Sequence, residues 1–357
     1  MKISCSRFSV TKRHALTISR GTSAGSENLF VEVEHDGIAG FGEMAPTSGG
    51  AVAETASTAE QALERWRERL TPFAPWQMQG IEAALNGEAD FAARAALDMA
   101  LHDWQGKRLG VPVWQLFGLD PDRIPPTSLT VGINPPEVIR EVVPEILART
   151  GALALKVKLG NPAGIDADME SFAAAREAAS SAPTIGWRVD ANGGWTVESA
   201  RKMIGWLAAR GVEFVEQPLP RGQERDLPAV HENSLLPIYA DESIYTASDI
   251  PPIAGSIDGV NLKLMKCGGL REALRIIHTA RAHGLQVMMG CMSETSLAIT
   301  AAAQLSPLAD ALDLDSHLNL RDDPFTGAIY QEGRVAPTDL PGLGVRRGPQ
   351  ANPPGQS

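Results

Sequence analysis

Leu153-Ala-Leu-Lys-Val-Lys158 is an apolar run carrying two lysines two residues apart, and it reads as one strand of a parallel sheet. Side chains of a strand alternate between its faces, so Lys156 and Lys158 point one way while Leu155 and Val157 point the other. Two ammonium groups on one face repel, so at least one of the pair is expected to release its proton more readily than a free lysine. A free lysine, with pKa ~10.4, is neutral at pH 7 in only about one molecule in 10³. A lysine tuned downward is a general base.

Outward from this stretch, from about residue 125, apolar segments with turn signals alternate with amphipathic helical patterns. The strand candidates are Ser128–Ile133, Leu153–Lys158, Ile185–Asp190, Val212–Glu216, Pro237–Asp241, Gly259–Lys263, Leu285–Gly290 and Ala311–Leu314. Eight is a barrel count. Helical patterns at Val138–Arg149, Asp166–Ser180, Val197–Arg210, Leu270–His283 and Glu294–Leu305 fill most of the gaps, as a (β/α)8-type sheet requires. Only the segment after the eighth strand lacks a closing helix.

Five consecutive strands, the second to the sixth, end in a charge: Lys158, Asp190, Glu216, Asp241 and Lys263. In a barrel these ends converge on one mouth, where active sites of this architecture are built. Asp190, Glu216 and Asp241, from three neighbouring strands, form a cluster of hard oxygen donors that repel one another unless a cation joins them. Mg²⁺ suits three such oxygens because it keeps coordination positions for water and substrate. Lys158 and Lys263 flank the cluster on opposite sides. That arrangement suits abstraction of a proton beside a carboxylate, giving an enolate, with one lysine removing a proton and the other returning one. Return to the opposite face gives the epimer.

The remaining chain sets the frame. Of 357 residues, 43% are hydrophobic, enough for a sizeable core. With 32 basic and 43 acidic residues, a net charge of −11 argues against nucleic acid or an anionic membrane as the main partner. Cys5, Cys267 and Cys291 are too few and scattered for a disulfide framework and are read as reduced thiols. No segment resembles a signal peptide or a membrane span, so the expected location is cytoplasmic.

Before the barrel, Ile3–Val10 and Leu29–Glu34 read as strands, and Asp36-Gly37 turns the chain into Ile38–Gly42. Arg20–Ser26 and Pro46–Gly50 read as loops of small polar residues, and Glu54–Leu70 and Phe91–Lys107 as helices, the second stopped by Gly110 and Pro112. This is an α+β unit distinct from the barrel. The expected domains are an N-terminal cap over 1–124, the barrel over 125–318, and a segment over 319–357 returning to the cap, Gly- and Pro-rich from Pro341 and mobile at its end.

Lys156-Val-Lys158, Val189-Asp-Ala-Asn-Gly-Gly-Trp195, Val215-Glu-Gln-Pro218, Ala240-Asp-Glu-Ser243 and Asn261-Leu-Lys-Leu-Met-Lys-Cys-Gly-Gly269 together resemble the enolase superfamily, muconate-lactonizing subgroup. Phe91–Trp104 resembles its cap-domain helix. The resemblance runs over nearly the whole chain and implies an α/β fold, a modified TIM barrel of (β/α)7β type, with an α+β capping domain. It implies that Lys158 and Lys263 are the acid/base pair, that Lys156 assists, and that Asp190, Glu216 and Asp241 bind Mg²⁺ with Asn192 and Glu242 in support. Self-association is a further family expectation. Lys266, beyond the strand end, and His317 receive no role.

Asp313-Leu-Asp315 places two carboxylates on one face of the eighth strand, suited to a substrate ammonium, and resembles the signature of dipeptide epimerases, where it holds the free amino terminus. Arg20 resembles an arginine that meets the side-chain carboxylate of the second residue in L-Ala-D/L-Glu epimerases. Met292 and Ser293, after the seventh strand, are expected to line the pocket. The expected activity is inversion of the α-carbon of the C-terminal residue of L-Ala-D/L-Glu or a similar dipeptide. Two other readings stand beside it. One is an N-acylamino acid racemase with o-succinylbenzoate synthase activity, or a cycloisomerase, whose substrates lack the ammonium. The other is a non-catalytic metal-bound binding protein.

Overall fold

The computed structural model describes residues 1–48 and 53–348. The cap opens with a three-stranded antiparallel sheet of β1 (Lys2–Ile18), β2 (Gly21–His35) and β3 (Ile38–Met44). Asp36 and Gly37, both at positive φ, make the tight turn between β2 and β3, as the pair of residue types predicts. Arg20–Ser26, in contrast, is not a loop. Only Ser19 and Arg20 turn, and Gly21–Ser26 is already β2, paired with β1. The composition of that stretch is a loop's, but the neighbouring strand completes its backbone hydrogen bonds, and Gly25 lies where a Cβ would overlap the carbonyl oxygen of Val10. Gly49 and Gly50, the end of the second expected loop, and residues 349–357 of the tail lie outside the described residues.

Helices α1 (Ala56–Leu70) and α2 (Phe91–Leu109) pack on this sheet. Thr55 caps α1 reciprocally with Thr58, and Gly110 ends α2 in the left-handed region at φ 74°. Gly40 and Gly42 fall on one face of β3, and a Cβ on either would overlap the α2 carbonyl oxygens of Ala100 and Ala96. Strand and helix therefore touch backbone to backbone.

The barrel follows: β4 (Ser128–Val131), α3 (Pro136–Thr150), β5 (Ala154–Lys158), α4 (Ile165–Ala178), β6 (Gly186–Asp190), α5 (Val197–Ala208), β7 (Val212–Glu216), β8 (Ile238–Ala240), β9 (Gly259–Leu262), α6 (Leu270–Ala282), β10 (Gln286–Gly290), α7 (Ser296–Ala303) and β11 (Ala311–Asp313). The eight strands pair in parallel, in chain order. The ring closes between β4 and β11 through the Thr127–Leu312 bridge, with Leu314 N donating to Thr127 Oγ1 at 2.8 Å. Strand bounds agree with the sequence reading to within two residues. Among the described residues no α-helix follows β11, only a 3₁₀ turn, Ser316–Asn319, and short strand pairs, as the resemblance implies. No described helix is long and apolar enough to cross a membrane.

The segment beyond 319 touches both parts: Arg347 pairs with Glu32 of the cap at 3.2 Å and lies over the Phe30 ring, while Gly333 O accepts from Thr127 N and Ala328 N donates to Thr300 Oγ1 in the barrel. Cap and barrel are also joined by Glu43 of β3, fully buried, which accepts from Thr295 N at 3.0 Å and Ala298 N at 3.1 Å at the start of α7, and from Asn28 Nδ2 at 2.6 Å. Burial pushes its carboxyl up to about 7, against those hydrogen bonds. An acid that binds its proton more tightly when folded contributes stability at low pH and loses it as pH rises through the folded value. Melting temperature is therefore expected to fall between about pH 5 and 8, and Glu43→Gln to flatten that slope by on the order of 1 kcal/mol per pH unit, read by calorimetry across the window. Equal slopes in both proteins would remove Glu43 from the account.

Candidate active site

The parallel register aligns Lys158 with Asp190 and Asp190 with Glu216, so three charged side chains occupy one row at the C-terminal ends of β5, β6 and β7. Asp241 follows directly on β8 and Lys263 on β9. In an eight-stranded ring β5 and β9 are four strands apart, so Lys158 and Lys263 face each other across the mouth.

Asp190, Glu216 and Asp241 each offer a carboxylate oxygen within 4.8 Å of the others, and all three residues are buried. Lys158 Nζ donates to Asp190 Oδ2 and Lys263 Nζ to Asp241 Oδ2, both at 2.7 Å. Lys156, fully buried, contacts Glu216 Oε2 at 2.6 Å, Asp313 Oδ2 at 2.7 Å and Asp190 Oδ2 at 3.5 Å. The expectation of a loosened proton is not met at Lys156. Burial opposes its charge, but Asp313, Glu216 and Asp190 outweigh that and hold its proton affinity well above the ordinary lysine value. The acids diverge. Burial with Asp190 close by pushes Glu216 up to about 8, whereas Lys158 and Lys156 overcome burial at Asp190 and hold it low. Glu216 Oε2, buried, meets only the Lys156 ammonium, outside hydrogen-bond geometry. Three buried carboxylates whose oxygens converge within 4.8 Å are a donor set that fits a hard divalent cation such as Mg²⁺.

Asn192, at φ 44°, donates from its backbone N to Asp190 Oδ1 at 2.7 Å and from Nδ2 to Asp190 Oδ2 at 3.0 Å. Glu242 pairs with Arg20 at 2.8 Å, and Arg20 also donates to Asn192 O at 3.0 Å. The guanidinium is therefore engaged by the barrel. Lys266, which the sequence left without a role, is brought back over the site by the helical turn Leu264–Cys267 and contacts Asp241 Oδ1 at 2.5 Å. Asp241 thus carries two lysines.

The strand-eight acids differ from one another. Asp313 is saturated by Lys156 and by Ser128 Oγ at 2.8 Å. Asp315 accepts from Thr130 N at 2.6 Å, while its Oδ1 has only the Cys291 thiol at 3.8 Å, which leaves an oxygen for a ligand. Burial and the neighbouring Asp313 push Asp315 up to about 6. Ser128, Thr130 and Asn261, which donates to Glu216 Oε1 at 2.7 Å, were not found from sequence, since nothing in their spacing points to these acids. Met292 and Ser293 line the cavity, and Ser293 O is held by Asn28 Nδ2 at 2.9 Å. Burial, then Asp315 and Glu294, push the Cys291 thiol well up, which counts against a nucleophile. His317 stands outside the cavity lining. Burial lowers it to about 4, and neither ring nitrogen has a partner. The cavity, about 760 Å³, lies between the β1–β2 hairpin and the barrel mouth and holds Lys158, Lys263, Asp313 and Asp315 in its lining.

Comparison with known proteins gives two family matches: residues 2–118 to the mandelate racemase / muconate lactonizing enzyme N-terminal domain, and residues 139–351 to the enolase C-terminal domain-like family. A hydrophobic dipeptide epimerase of Roseobacter litoralis is 50% identical over 96% of this chain and 98% of that relative. One from Flavobacteria bacterium is 47% identical over 97% and 98%. Among solved structures, a dipeptide epimerase from Enterococcus faecalis V583 complexed with Mg and the dipeptide L-Leu-L-Tyr aligns with a TM-score of 0.88 and 32% identity, over 96% of this chain and 98% of that one.

Proposed function

The chain belongs to the enolase superfamily, in the family of mandelate racemase and muconate lactonizing enzyme, and on that premise we propose that it is a Mg²⁺-dependent dipeptide epimerase inverting the α-carbon of the C-terminal residue. The observation that carries this reading is the opposition of Lys158 and Lys263 across the acid cluster, with Asp315 offering an open carboxylate oxygen in the same cavity.

Asp190, Glu216 and Asp241 would hold the Mg²⁺, with Asn192 and Glu242 fixing the loops around them. When bound, the ion supplies positive charge that stabilises negative charge developing on the substrate carboxylate by several kcal/mol. One of the two lysines, uncharged, takes the α-proton and becomes an ammonium. The other, charged, delivers a proton to the opposite face of the same carbon. One C–H bond breaks, one forms, and exchange with water resets the pair. Lys156, held cationic among Asp190, Glu216 and Asp313, offsets their mutual repulsion. Asp315 receives the substrate ammonium. N-acylamino acids have no such group, which favours dipeptides over the racemase reading.

The choice of second residue turns on how Arg20 is held, by Glu242 and Asn192 O. The Arg20–Glu242 pair and the relatives from Roseobacter litoralis and Flavobacteria bacterium favour an apolar side chain there, with the glutamate of L-Ala-L-Glu the direct comparison. The test is proton NMR in D₂O with Mg²⁺ and a dipeptide library that includes L-Ala-L-Glu. The C-terminal α-proton should wash out as the epimer appears. Exchange of N-succinylamino acids alone would transfer the assignment to the racemase.

A further inference from the structure

The β1–β2 hairpin crosses the barrel mouth from side to side. Its tip, Ser19 and Arg20, rests on Asn192 and Glu242, beyond β6 and β8. Its other end is fixed beside β11, where Lys12 bridges Leu320 and Arg321 N donates to Thr11 O. The pairing of β1 with β2 breaks between Thr11 and Leu16. Lys12 lies at that break, on the buried face of β1 together with Val10, and its side chain lines the cavity on the Asp315 side.

Each of the other buried lysines at the mouth, and Arg20, has a carboxylate partner at 2.5–2.8 Å. Lys12 does not. It is only 7% exposed, its Nζ donates to Ser23 Oγ at 3.2 Å, and it forms no ion pair among the described residues. Burial lowers its proton affinity, with the Asp315 carboxylate acting against that. An ammonium has three N–H donors, and this one gives a single long hydrogen bond among the described residues, so a cation largely withdrawn from water keeps two donors for whatever enters the cavity.

We propose that Lys12 selects the side chain of the dipeptide's first residue, favouring one that ends in a carboxylate, aspartate or glutamate. The assignment rests on the dipeptide reading, with the substrate ammonium at Asp315. The first side chain leaves the carbon that bears that ammonium, so it starts on the side of the cavity where Lys12 lies. Its methylenes meet the apolar wall of Leu129, Val142 and Ile146, and its terminal oxygens reach Nζ. The same cation rejects a first lysine or arginine. The second residue projects from the carbon between Lys158 and Lys263, so the selection acts at the first position.

The experiment measures kcat/KM for L-Glu-L-Leu, its near-isostere L-Met-L-Leu, and L-Lys-L-Leu, in the wild type, Lys12→Met and Lys12→Arg, with melting curves to establish that each variant is folded. The wild type should prefer Glu-first over Met-first by about tenfold or more, the range of a hydrogen bond to a charged group. Lys12→Met should bring that ratio to near one, and Lys12→Arg should retain the preference. If Lys12 only balances the charge of Asp315, Lys12→Met changes KM for all three substrates by one factor and leaves the ratio intact, which overturns the proposal. A wild type that turns over L-Met-L-Leu as well as L-Glu-L-Leu overturns it equally. If no dipeptide in the library exchanges its α-proton, the underlying reading fails and this assignment with it, an outcome visible before any ratio is compared.

Discussion

Lys158→Ala and Lys263→Ala are each expected to lower epimerisation by roughly 10³-fold or more while leaving one half of the reaction intact. The reason is the ring itself. β5 and β9 are four strands apart, so in the proposed mechanism each lysine serves one face of the substrate carbon only. With Lys158 removed, Lys263 still takes the proton presented to it from one epimer, and solvent exchange then returns deuterium to the same face. The measurement is α-proton loss in D₂O, run separately on each epimer with each variant. One epimer should exchange without inverting in Lys158→Ala, and the other in Lys263→Ala. Both variants exchanging the same epimer, or either one still inverting it, would rule out two opposed bases. Because Lys158 bonds Asp190 and Lys263 bonds Asp241, calorimetric Mg²⁺ titration of each variant separates a lost base from a disturbed metal site.

The second large effect is expected at Glu216. Its Oε2 meets the Lys156 ammonium, but burial together with Asp190 and Asp241 penalises its charge. Without Mg²⁺, Glu216→Gln should therefore melt no lower than the wild type, since the amide relieves that repulsion, Asn261 can still donate to its oxygen, and Lys156 keeps Asp313 and Asp190 when it loses Glu216. With Mg²⁺ the order reverses. A ligand at 100 times its Kd stabilises by about 2.7 kcal/mol, a rise the wild type should show and the variant should largely lose. Catalysis should fall by roughly 10³-fold, because the ion's stabilisation of substrate charge goes with it. An unchanged thermal response to Mg²⁺ in Glu216→Gln would place the ion elsewhere.

The barrel and its row of charges were legible because both depend on local periodicity. Alternation along Leu155–Lys158 sends the lysines to one face, and five strands ending in a charge need only parallel pairing to bring those ends together. The missing last helix was legible for the same reason, as a segment without helical pattern. The hairpin was less so. Gly21–Ser26 has a loop's composition, and only its pairing with β1 makes it a strand over the cavity. The high proton affinity of Lys156 was not legible, because the sequence shows its neighbour Lys158, two residues away, but not Asp313 and Glu216, which reach it from other strands.

The sequence by itself determined the order of the elements, the faces their side chains take, and the chemical types gathered at the mouth. Spacing of two or of three to four residues encodes those directly. Only the tertiary structure decided which charge meets which. Closure of the ring brings Thr130 to Asp315, the cap carries Glu43 to the start of α7, and the hairpin lays Arg20 on Glu242 while leaving Lys12 without an ion-pair partner among the described residues. These contacts join residues far apart in the chain, and their cost in chain entropy is offset by burial of the whole core, so no local pattern records them.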